Sequence, residues 1–73
     1  MNYFVVMIDY GRRGREAIVD PERTERGVVA RIASGEYDAE RIAFIHHIHD
    51  RVCEDVTERL VEAGKRCALQ AAE

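Results

Sequence analysis

Three histidines lie within a span of four residues, His46, His47 and His49, and Cys53 follows shortly after. Read as an extended strand, His47 and His49 share one face, with Cα atoms about 7 Å apart at about 3.3 Å per residue. That spacing seats two imidazoles on one metal ion, and Cys53 or Asp50 supplies a third ligand of a zinc site. No Cys-x-x-Cys or His-Glu-x-x-His accompanies them. The simpler reading puts His46 in the core, with His47 and His49 at a sheet edge or interface. Cys53 also precedes an expected helix start, where the helix dipole lowers a thiol's pKa. With His49 nearby it resembles a cysteine–histidine nucleophile. Glu54 and Asp55 oppose that effect, and 73 residues leave little room for a substrate cleft. No enzyme is expected.

A second constellation is cationic. Arg12, Arg13 and Arg15 surround a turn bracketed by Gly11 and Gly14. Guanidinium groups at a hairpin tip can grip phosphates in bidentate fashion, which makes a nucleic-acid-contacting regulator one alternative function. No aromatic platform for stacking bases accompanies them. Asp9 and Glu16 stand ready to neutralise them in a solvated tip. The carboxylates Glu54, Asp55, Glu58 and Glu62 follow one helix and read most simply as its solvated face.

The elements that position these residues follow from pattern. Asn2 to Tyr10 is aromatic and β-branched and predicts a strand; Arg15 to Asp20 predicts a second, joined by a four-residue loop, Gly11 to Gly14. Tyr10 then opposes Arg15, and Val6 opposes Val19. One face holds Phe4, Val6, Ile8, Ala17 and Val19; the other holds Tyr3, Val5, Met7 and Ile18. Asp20-Pro21-Glu22 predicts a helix start with Asp20 as N-cap, its apolar residues coming late at Val28, Val29, Ile32 and Ala33. Gly35 predicts its stop. Arg41 to Asp50 predicts the histidine strand, broken by Asp50-Arg51. Asp55 and Glu58 resemble a capping box for a last helix over about residues 55–71. Its apolar stripe is Val56, Leu60, Ala63 and Cys67. The order is ββαβα: a two-layer α+β domain with a three-stranded antiparallel sheet, order 2-1-3, and two helices on one face.

The stretches VVMIDYGRRGREAIVDPE, VARIASGEY, FIHHIHD and CEDVTE together resemble short, uncharacterised bacterial and phage-borne proteins. The resemblance covers most of the chain and carries over no catalytic motif. A phage connection implies a small inhibitor or regulator of host enzymes, anti-CRISPR proteins among them.

Length and composition set bounds. Residues 1–73 make a single domain. Apolar content of 47% excludes a disordered chain, and a net charge of −3 excludes wholesale coating of nucleic acid. No apolar run approaches the roughly 18 residues of a membrane span. The N-terminal run has no basic leader or cleavage site, and helix geometry holds Cys53 and Cys67 too far apart to bridge. A reduced, cytoplasmic protein is expected. Two helices cannot cover both faces of the sheet, so Tyr3, Val5, Met7 and Ile18 form an exposed apolar face. The third strand adds Ile45, or Phe44 in the other register. The leading expectation is a non-enzymatic protein-interaction module acting through that face as a homodimer or on a protein partner. It needs no cofactor; a zinc-binding module through His47, His49 and Cys53 is the remaining alternative.

Overall fold

The computed structural model describes residues 2–20 and 24–71. Strands β1 (Asn2–Asp9) and β2 (Arg15–Val19) form the expected hairpin. Its connection is one residue longer than the four expected, because Tyr10 belongs to the loop and donates its backbone N–H to Gly14 O at 2.8 Å. Asp9 therefore opposes Arg15, and Val6 opposes Ile18. A slip of one residue moves every side chain of a strand to the other face. Ile18 joins Val6 on the core side, while Ala17 and Val19 turn outward.

Helix α1 spans Glu25–Ala33 and is capped by Thr24, whose hydroxyl accepts from Gly27 N at 3.0 Å. Asp20 is not the cap. It is the only buried charged residue among those described, and its carboxylate accepts from the Tyr37 hydroxyl at 2.7 Å and pairs with Arg31 Nε at 3.3 Å. The expected first-turn residues Pro21 and Glu22 lie outside the described residues. Gly35 takes φ +87° just past the helix, the left-handed conformation expected of a stop.

Strand β3 (Ile42–His49) pairs with β1, Val6 opposite Ile45 and Phe4 opposite His47. Ala43 is skipped between Phe44 and Ile42 in that register, so both Ile42 and Ile45 reach the core side.

The expectation of three strands needs correction. After Asp50 and Arg51, both at positive φ (45° and 67°), the chain returns as β4 (Val52–Asp55) along β3. Two consecutive positive φ angles are the mark of a tight hairpin turn of the mirror-image type, usually carried by Asn-Gly. Without either residue the turn reads as a simple strand end. The sheet has four strands in the order β2-β1-β3-β4, all neighbours antiparallel.

Helix α2 (Thr57–Ala71) follows at once. Asp55 accepts from Thr57 N at 3.0 Å, and Thr57 Oγ1 in turn accepts from Ile45 N at 2.8 Å. Val56 N donates to Ile45 O at 2.9 Å, so the start of α2 satisfies the β3 edge where β4 ends. Arg59 pairs with Glu25 of α1 at 2.8 Å.

Both helices cover one sheet face. The core is Phe4, Val6 and Ile8 of β1, Ile45 of β3, Val28 and Ile32 of α1, Val56 and Leu60 beside and within α2, and Tyr37. Cys67, expected on the buried stripe, is exposed; Gly64 takes the close contact instead. A Cβ at Gly64 meets Ile32 Cγ2 at 2.3 Å and Ile32 Cβ at 2.6 Å, so the missing side chain sets the distance between the helices.

Gly64→Ala should therefore destabilise the fold by about 1–3 kcal/mol, the usual cost of overpacking. Denaturant unfolding of Gly64→Ala, Ile32→Ala and the double variant checks it. The double variant should be more stable than the summed single effects, because removing the branched methyl relieves the clash.

Burial, and then the hydrogen bond to Asp20, push the Tyr37 pKa well above the ordinary tyrosine value. A raised folded pKa gives a contribution that is full below the unfolded value, about 10, and is lost as pH rises toward the folded one. Stability should therefore decline above about pH 10. Tyr37→Phe should be less stable at neutral pH and show a shallower alkaline decline in melts run across that range.

Candidate functional site

Three surfaces carry the residues singled out by type and spacing. The first is a corner of the inner sheet face. His47 stands opposite Phe4 on β1 and Glu54 on β4, and His49 stands opposite Asn2 and Val52. Alternation places all six side chains on the core side, at the end of the sheet carrying the β3–β4 turn. Phe4 is buried and stacks on the His47 ring, centroids 4.2 Å apart and planes 8° from parallel. The His47 and His49 rings lie 4.4 Å apart. Asn2 Oδ1 is 2.5 Å from His47 Nε2, and Glu54 Oε1 is 3.4 Å from His49 Nε2.

The metal-ligand set differs from the expected one. Cys53 faces Ile48, on the opposite side of the sheet from His47 and His49, and cannot join them. Glu54 does: one ligand atom from each of His47, His49 and Glu54 lies within 4.8 Å of the others. In sequence, Glu54 and Asp55 resemble a helix start, which masks Glu54 as a strand residue. Recognising the turn at Asp50-Arg51 exposes the alternation Val52/Glu54 against Cys53/Asp55.

The second surface is the outer sheet face. Tyr3, Val5 and Met7 of β1 lie there as expected, beside Val19 and Ala17 of β2 and Phe44 and Ile48 of β3. None of these is buried, and Val19 is 60% exposed. Ile18 and Ile45 do not belong to this face. Ile18 packs against the core, and Ile45 has no exposed surface at all, because it faces the helices opposite Val6. Of the two β3 residues expected as alternatives, Phe44 is the one on this face. His46, expected in the core, is half-buried on the outer face, stacked on Phe44 at 4.2 Å and opposite Asp55. Hydrogen bonds from Thr57, supplemented by the charge of His46, hold the Asp55 carboxyl below the usual carboxylate range.

The third surface is the β1–β2 tip. Gly11, Arg12 and Arg13 form a single exposed 3-10 turn, followed by Gly14 at φ +93°. Arg15 is engaged by Asp9 through an ion pair of 3.2 Å. The Gly11 backbone N–H and then Arg15 hold the Asp9 carboxyl below its ordinary pKa. Arg12 and Arg13 extend into solvent, so the three arginines are not a single convergent cradle.

Replacing Arg12, Arg13 and Arg15 by Ala should leave the melting temperature essentially unchanged, since exposed charges contribute little. A phosphate contact at the tip predicts weaker retention of the triple variant on a phosphate-bearing column, the difference fading as salt rises. Equal retention refutes that contact.

No helix among the described residues is long and apolar enough to cross a membrane. Compared with protein-family models, curated proteins and solved structures, the chain matches none.

Proposed function

We propose that the protein is a non-enzymatic interaction module that works through its outer sheet face, with a second copy of the chain as the occupant. One observation carries this reading: both helices lie on the same side, leaving Tyr3, Val5, Met7, Val19, Phe44 and Ile48 contiguous and uncovered on the other. Apolar patches of this kind on a small domain mark association surfaces. Each Å² removed from water contributes about 25 cal/mol before the costs of association.

Charge favours a second copy. The charged groups of this face are already engaged within the chain, Asp9 by Arg15 and Asp55 by hydrogen bonds from Thr57. Two such faces meet in an isologous contact without strong like-charge repulsion. The reading extends to the class implied by the resemblance to phage-borne proteins, a small inhibitor or regulator that acts by occupying another protein's surface. Such a role requires a rigid face and no cleft.

Met7 sits in the centre of the patch, paired with Ala17 on one side and Phe44 on the other. Met7→Glu should convert a concentration-dependent dimer to a monomer while leaving far-ultraviolet circular dichroism unchanged. Sedimentation or light scattering across a wide concentration range checks this. A wild type that stays monomeric at the highest concentration overturns the homodimer.

A further inference from the structure

We propose that the inner corner formed by His47, His49 and Glu54 is a binding site for a divalent transition-metal ion of the zinc type. The site is built from the backbone upward. His47 and Glu54 are direct cross-strand partners on β3 and β4, and His49 lies one strand repeat beyond His47 on the same face. Their ligand atoms already lie within 4.8 Å of one another. His49 Nε2 and Glu54 Oε1, 3.4 Å apart, have about the separation of two neighbouring donors on a tetrahedral ion with bonds of roughly 2.0–2.1 Å.

The surroundings hold these donors in place. Phe4 stacks flat on His47 from the buried core, and Asn2 Oδ1 engages His47 Nε2. A carboxamide oxygen accepts, so this bond selects the tautomer with Nε2 protonated and the lone pair on Nδ1. Metal-bound histidines characteristically keep such a partner on their second nitrogen. His49 is half-buried and Glu54 is exposed, so an ion enters directly from solvent. Two imidazoles with one carboxylate suit zinc and its transition-metal neighbours, whereas magnesium and calcium prefer all-oxygen sets. Three protein donors leave one tetrahedral position for water or an exchangeable ligand. The ion bridges β3 to the short edge strand β4 and stabilises the hairpin by binding only the folded state.

This site lies on the opposite sheet face from the association surface, and the two are tested separately. Tag-free protein stripped with chelator is titrated with Zn²⁺, or with Mg²⁺ as control, while melting temperature and heat of binding are recorded. Zn²⁺ should raise the melting temperature and Mg²⁺ should not. Glu54→Gln and His49→Ala should each weaken zinc binding by at least about tenfold; Cys53→Ser should leave it unchanged. Glu54 is exposed, so its variant keeps the fold and decides the matter even if a histidine variant unfolds. Co²⁺ in place of Zn²⁺ should give ligand-field absorption without thiolate charge transfer. No zinc-dependent shift, full binding by both Glu54→Gln and His49→Ala, or loss of binding in Cys53→Ser with a thiolate band each overturns the site.

Discussion

A carboxylate buried in an interior of this size must be matched, and the way Asp20 is matched organises the chain around it. Its backbone N–H donates to Phe4 O at the end of β2, while its side chain takes the Tyr37 hydroxyl and the Arg31 guanidinium. These partners come from α1 and from the segment that leads into β3. One acid thus ties the last residue of the first hairpin to the helix above it and to the return of the chain below. Removing one partner of such a group leaves polar atoms stranded away from water, which costs more than the bond contributes while intact. Arg31 continues the network outward to Glu36, where charge meets solvent.

With that tie in place, α1 lies over the sheet and α2 lies beside it, the two held at a close distance by Gly64 against Ile32. Everything chemical about the molecule follows from this one-sidedness. The covered face is apolar where the helices reach, at Val6, Ile8 and Ile45, and becomes imidazole and carboxylate at the corner with the β3–β4 turn. The uncovered face remains apolar across its centre, with the Asp9–Arg15 ion pair toward one end and the Thr57-bonded Asp55 toward the other. The proposed association surface and the proposed metal site therefore lie on opposite sides of one sheet.

Much of this was legible in the residues. β1, β2, β3 and α2 follow directly from β-branched runs and an amphipathic stripe, and the inward set Phe4, Val6 and Ile8 from simple alternation. Three local geometries were not. The β1–β2 loop takes Tyr10 as a fifth member, which exchanges Ile18 with Ala17 and Val19 between faces. The irregularity at Ala43 turns both Ile42 and Ile45 inward. The Asp50-Arg51 turn lacks the Asn-Gly signature of its type, so β4 has no punctuation in the sequence and Glu54 resembles part of a helix. In each case the difference is one or two residues of backbone geometry. Where side chains alternate, that shift decides which chemistry meets which face.

The strand order β2-β1-β3-β4 reads alike from either edge: second strand, first strand, first strand, second strand. Each hairpin is followed by one helix, and both helices lie on the same face. In topology the chain is therefore a pair of ββα halves that meet at the β1–β3 seam, although the two halves share no repeat in sequence. The two ends of the inner face, each beside one hairpin turn, are thus topological counterparts. One end carries two imidazoles and a carboxylate beside a two-residue turn; its counterpart carries Ile8 and Ile42 beside the glycine-bracketed arginine tip. Halves alike in topology thus carry different chemistry at their two turns.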